Sequence, residues 1–160
     1  MGEYTRPATW DDLLALARHL NAAHARYAII GGYAIAAHGY LRFSEDLDIL
    51  VDPDPDPTNN WVTALCQLPE RAAAELACDP EIFVREGTCA IRVKDEITVD
   101  VMPAACGHAW DELSRYIVDI EVDGEVLKVL SLRQPEADRS SATWSLASFH
   151  RRHNVFYRGA

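Results

Sequence analysis

Three aspartates are the residues best placed by type and spacing to do chemistry. Asp46 and Asp48 stand two apart in the segment Asp46–Val51, and Asp100 lies in a second segment, Ile97–Met102. Both segments alternate as strands do. Leu47, Ile49 and Val51 share one face while Asp46, Asp48 and Leu50 share the other; Ile97, Val99 and Val101 oppose Thr98, Asp100 and Met102. Carboxylates two apart on a strand project from one face with their backbones about 7 Å apart. Beside buried apolar residues, like charges cost several kcal/mol or stay protonated. If the two strands are neighbours, three acids converge and need counter-charge. Divalent cations supply it naturally: Mg2+ takes hard oxygen ligands and keeps water and substrate phosphate in its shell. Two such ions about 4 Å apart activate an attacking hydroxyl and neutralise a departing pyrophosphate.

A second feature is Ile30-Gly31-Gly32-Tyr33, which reads as a strand passing through two glycines into a helix. Missing side chains let a backbone approach phosphate, and a helix start offers free amides and partial positive charge. Each feature taken alone has a plainer reading, a tight turn for the glycines and solvation or turn capping for the acid pair. Their order is what carries information: Gly-Gly, an Asp-x-Asp some fifteen residues later, and an isolated strand aspartate about fifty residues further on.

The elements that must position these residues are legible in outline. Thr9-Trp10-Asp11-Asp12 is a helix start close to a capping box, and Leu13, Leu14, Ala17 and Leu20 extend it towards His24. Tyr27–Ile30 is a short strand, and Tyr33–His38 a helical piece ending at Gly39. The run Asp52-Pro53-Asp54-Pro55-Asp56-Pro57 reads as a rigid connector, followed by helices over about 58–67 and 70–77, the second opened by Pro69. Strands are expected at Ile82–Arg85, Cys89–Val93 and Ile97–Met102, and then a short helix near Ala109–Tyr116. A hairpin of Ile117–Val122 with Val126–Leu130 turns at Asp123-Gly124, and a weakly patterned helix runs from Gln134 to about His153. The expected fold class is α+β (α/β-like): one domain over 1–160, with a core at about 9–130, a mixed β-sheet and helices packed on it.

Composition narrows the function classes. The chain has 160 residues, 49% of them hydrophobic and 25% charged, the balance of a globular domain. Its net charge is −10, and the distribution is uneven: residues 1–130 carry 10 Lys+Arg against 23 Asp+Glu, and 131–160 carry 5 against 2. A duplex-coating surface is therefore excluded over most of the chain. Arg151, Arg152, His153 and Arg158 form the one basic cluster, either a binding surface or the solvated end of a last helix. No apolar run approaches the ~20 residues of a membrane span and the start does not read as a secretory signal, so no membrane partner and a cytoplasmic location are expected. Cys66, Cys78, Cys89 and Cys106 show no zinc spacing and are expected to be small buried apolar residues. His19 and His24, five apart on the first helix, do not share a face.

The stretch IIGGYAIAAHGYLRFSEDLDILVD followed by ITVDVMP resembles the nucleotidyltransferase superfamily of the DNA polymerase β type. The closer likeness is to its small bacterial members, minimal nucleotidyltransferases and the toxins of type IV (AbiE-like) toxin–antitoxin systems. With the later strand pair IVDIEVDGEVLKVLSL, the likeness spans roughly 100 of the 160 residues. The resemblance implies the nucleotidyltransferase fold, two Mg2+ ions, and an NTP whose NMP moves to an acceptor hydroxyl as pyrophosphate leaves. It makes Asp46, Asp48 and Asp100 the catalytic metal ligands, Asp100 also helping to deprotonate the acceptor, and Gly31 and Gly32 the phosphate-binding glycines. Arg42 and Ser44 match the family's Arg-x-Ser/Thr lead-in to the acid pair; Arg42 either forks onto triphosphate or pairs with Glu45 to anchor its loop. Tyr33 and Tyr40 are candidates for base stacking or for core packing. The implied partners are an acceptor (tRNA, a protein or a small molecule) and a cognate antitoxin. The lysine that toxin-like members carry after the hairpin is missing: no lysine follows Lys128. The alternative is a non-catalytic nucleotide- or partner-binding module of the same fold. A third reading, a structural protein held by calcium or magnesium, lacks a dedicated ligand loop.

Overall fold

The computed structural model describes residues 5–40, 44–83 and 90–131. Arg42, Cys89, the Cys78 side chain and the basic cluster at 151–158 lie outside them, as does the expected helix from Gln134.

Helix α1 (Trp10–Ala22) begins where the capping box requires. The Thr9 hydroxyl accepts from the Asp12 amide at 3.3 Å, and the Asp12 carboxylate accepts from the Thr9 amide at 2.7 Å. Strand β1 (Tyr27–Ile30) leads directly into α2 (Gly31–Ala37), so the two glycines form the first turn of the helix rather than a loop before it. Strand β2 (Leu47–Val51) follows, with Asp46 on the bend just ahead of it.

Helix α3 (Pro55–Leu65) opens inside the proline run, not after it. Pro55 and Pro57 stand in the first turn, where no amide partner is needed, and the Thr58 amide closes that turn onto the Asp54 carbonyl at 3.0 Å. The next helical piece is a 3-10 helix, Ala72–Cys78. The strand expected at Ile82–Arg85 is not seen at its described residues: Ile82 and Phe83 are helical and buried, with the Phe83 ring 5.9 Å from that of Trp61. A short apolar run has no period that separates strand from buried helical turn, and packing against α3 decides it.

Strands β3 (Ile91–Lys94) and β4 (Thr98–Met102) form a hairpin, and a two-residue pair, β5 (Ala104–Ala105) with β6 (His108–Ala109), was not foreseen. Its turn residues, Cys106 (φ 52°) and Gly107 (φ 82°), lack the usual Asn-Gly signature. Helix α4 (Trp110–Leu113) precedes β7 (Ile117–Val122) and β8 (Glu125–Leu130), whose turn has the positive φ values expected of Asp123-Gly124, 52° and 82°.

Among the described residues, six strands make one mixed sheet in the order β3-β4-β2-β1-β8-β7, with helices packed on it, an α+β architecture. The larger core joins one sheet face (Tyr27, Ile29, Leu47, Ile49, Val51, Val99, Val101) to α1 and α3. A smaller one lies on the opposite face, where Ala28, Ile30, Leu50 and Met102 meet Trp110 and Leu113. Among the described residues no helix is long and apolar enough to cross a membrane. Cys66 and Cys106 are half-buried free thiols rather than fully buried ones.

A buried aspartate fixes the hairpin that carries β3 and β4. Asp95, 3% exposed, accepts from the amides of Glu70, Ala72 and Glu96 at 2.9, 3.0 and 2.8 Å, while its own amide donates to the Ile97 carbonyl at 3.0 Å. Replacing it leaves three partly buried amides without their acceptor, at about 1 kcal/mol each. Asp95→Ala is therefore expected to lower unfolding free energy by about 3 kcal/mol or more in urea melts; a loss below about 1 kcal/mol contradicts this role.

Candidate active site

The strand register brings two of the three acids face to face. Strands β2 and β4 are parallel neighbours with Asp48 opposite Asp100; β1 pairs antiparallel with β2, placing Ile30 opposite Asp48; and β3 pairs antiparallel with β4, placing Arg92 opposite Asp100. One row across the sheet thus reads Ile30, Asp48, Asp100, Arg92. The next row on the same face, Ala28, Leu50 and Met102, belongs to the smaller core. The acids border an apolar layer, and their charge is poorly hydrated.

Arg92 is a site residue that sequence reasoning missed. Its guanidinium forks onto Asp100, Nε to Oδ1 at 2.8 Å and Nη2 to Oδ2 at 3.0 Å, and Nη2 reaches Asp46 Oδ2 at 3.5 Å. The fork is sheltered, with the Arg92 side chain 22% and the Asp100 side chain 10% exposed. The available signal was the alternation of Ile91-Arg92-Val93, which sets Arg92 apart from its apolar neighbours; which strand it faces was not readable. The counter-charge expected from cations is here supplied in part by the chain.

Among the described residues, one arginine against three acids leaves an excess. Burial, together with the charges of Asp100 and Asp46 and a hydrogen bond to Asp100, pushes the Asp48 carboxyl up to about 8. Burial and the Asp100 charge push Asp46 upward as well, opposed by Arg92.

Gly31 is shaped by the same carboxylate. Its φ is +71°, in the left-handed region, and a Cβ there would fall onto Asp48 Oδ2 and lie 3.1 Å from Asp48 Cγ. Gly32 is buried in the first turn of α2. Ser44 donates to the Asp46 carbonyl at 2.9 Å, shaping the bend that delivers Asp46. The segment before α1 braces the same end of the sheet: the Ala8 amide donates to the Glu45 carbonyl at 2.9 Å, and the Arg6 amide donates to the Glu96 carbonyl at 3.0 Å. Tyr33 packs beside Trp10 and donates to the Ala8 carbonyl at 2.6 Å, which commits it to structure; Tyr40 is 63% exposed.

As a donor set the acids suit a hard divalent cation: all ligand atoms are carboxylate oxygens, and Asp48 keeps a proton that a cation can replace. As the side chains stand, Arg92 takes both oxygens of Asp100. Among the described residues no group of three or more His, Cys, Asp or Glu side chains is arranged to hold a metal ion. By their chemistry Asp46 and Asp48 offer carboxylate oxygens to such an ion, whereas both oxygens of Asp100 are engaged by Arg92.

Compared with known families and with curated proteins, the sequence matches no family model and no curated relative.

Two outcomes follow from this geometry. In the unfolded chain Asp48 ionises near pH 4, whereas in the fold it keeps its proton to about pH 8. Its contribution to stability is full below pH 4 and is lost as pH rises towards 8. In divalent-free buffer the wild type is expected to lose a few kcal/mol over this range relative to Asp48→Asn, measured by chemical denaturation at several pH values; parallel curves contradict it. Gly31→Ala is expected to cost on the order of 2 kcal/mol or more, through its left-handed backbone and its overlap with Asp48; an unchanged melting temperature contradicts it.

Proposed function

We propose that this chain is a Mg2+-dependent nucleotidyltransferase with the nucleotidyltransferase fold, moving an NMP from an NTP to an acceptor hydroxyl and releasing pyrophosphate. The observation that carries the reading is the in-register pairing of Asp48 with Asp100 on adjacent parallel strands, with the side-chain-free Gly31 against Asp48. The resemblance of the Gly-Gly, Asp-x-Asp and strand-aspartate order to the nucleotidyltransferase superfamily adds to it.

In this reading Asp46 and Asp48 hold Mg2+, which when bound supplies charge neutralisation for the departing pyrophosphate. Asp100 accepts the proton of the acceptor hydroxyl. The acceptor oxygen forms its bond to the α-phosphorus as the bridging α–β oxygen bond breaks and its electron pair leaves with pyrophosphate. Gly31 and Gly32 let the backbone approach the triphosphate, and Ser44 sets the bend that aims Asp46. The acceptor is a tRNA end, a protein side chain or a small molecule, and a toxin–antitoxin setting with a silencing partner agrees with the likeness to AbiE-like toxins.

One observation favours a non-catalytic binding module instead: the Arg92 fork already neutralises Asp100 within the chain. Incubation with each α-labelled NTP, Mg2+ and a cell extract separates the two. Transferase activity predicts label in one macromolecular or small-molecule fraction, lost by at least about 100-fold in Asp48→Asn and Asp100→Asn. Nucleotide binding without transfer, or transfer unchanged in both variants, contradicts the proposal.

A further inference from the structure

We propose that Arg92 is the resident counter-cation of this site and controls when a divalent ion completes its ligand set. The guanidinium holds Asp100 and must release it before Asp100 joins Asp46 and Asp48. The inference rests on the metal-dependent reading above.

Arg92 faces Asp100 in strand register, and its fork occupies both carboxylate oxygens, at 2.8 and 3.0 Å. A bidentate charge-assisted pair sheltered from water is stronger than an exposed one. A cation approaching Asp100 therefore meets an occupied ligand and the repulsion of a second positive charge. Arg92 also reaches Asp46 at 3.5 Å, so one guanidinium sits between the acids on β4 and on the approach to β2. Strand β3 need not move for the fork to open, because the guanidinium rides on a flexible stem. An arriving triphosphate offers a matched alternative, since the planar fork that fits a carboxylate also fits phosphate oxygens. Nucleotide and cation are then coupled: each makes the other's site more available, by the same factor.

The test reads Mn2+ affinity by the electron-spin signal of free Mn2+, with and without a non-hydrolysable NTP, alongside thermal melts that confirm folding. Arg92→Met is expected to tighten nucleotide-free Mn2+ binding about tenfold or more, as removal of one close positive charge demands. Arg92→Lys, which keeps the charge and loses the fork, is expected to fall between the two and carries the test if Arg92→Met does not fold. In the Asp100→Asn background the gain from Arg92→Met is expected to vanish, which separates a specific pair from general charge. The non-hydrolysable NTP is expected to tighten Mn2+ in the wild type more than in Arg92→Met. Equal or weaker Mn2+ binding by the Arg92 variants, or a gain that persists in Asp100→Asn, overturns the role of Arg92 while leaving the metal site standing. Failure of every protein to bind Mn2+ even with nucleotide overturns the metal-dependent reading together with this inference.

Discussion

The structure around the candidate site turns on the cost of holding like charges at the edge of an apolar layer. Asp48 and Asp100 lie opposite each other on parallel strands, one residue row from Leu50 and Met102. Water cannot screen them fully there, so the fold compensates by other means: Arg92 forks onto Asp100, and Asp48 keeps a proton. Gly31 gives up its side chain to make room. A sheet built for stability alone would place apolar residues in this row, as it does in the next.

The surroundings hold this row in place from several directions. Asp95 ties the β3–β4 hairpin to the segment after α3 through the backbone amides of Glu70 and Ala72, and closes its own turn through that of Glu96. The residues ahead of α1 bind the approach to Asp46 and the hairpin turn through backbone hydrogen bonds, and Tyr33 anchors α2 to the same segment. Positioning therefore comes largely from backbone bonding at the sheet end, with the larger core on the other face supplying the stability that the acids cost.

Much of this was readable from local chemistry. The Thr9 and Asp12 capping box, the four-residue strand before the glycines, the alternation around Asp48 and Asp100 and the Asp-Gly hairpin are all set by neighbours in sequence, and they stand where local reasoning puts them. What escaped depends on tertiary contacts. Arg92 gains its meaning only from the strand beside it, and parallel register has no short-range signature. Ile82 and Phe83 become helical because they pack under Trp61. The prolines at 55 and 57 break what precedes them yet suit a helix start, and the helix takes them in.

Carbon-detected NMR titration of the aspartate carboxyls in divalent-free buffer is the most direct test of this charge balance. One carboxyl is expected to stay protonated past neutrality, to be absent in Asp48→Asn, and to ionise on addition of Mg2+. Titration of every aspartate in the ordinary range near pH 4, unaffected by Mg2+, would show that the acids do not share one poorly hydrated row.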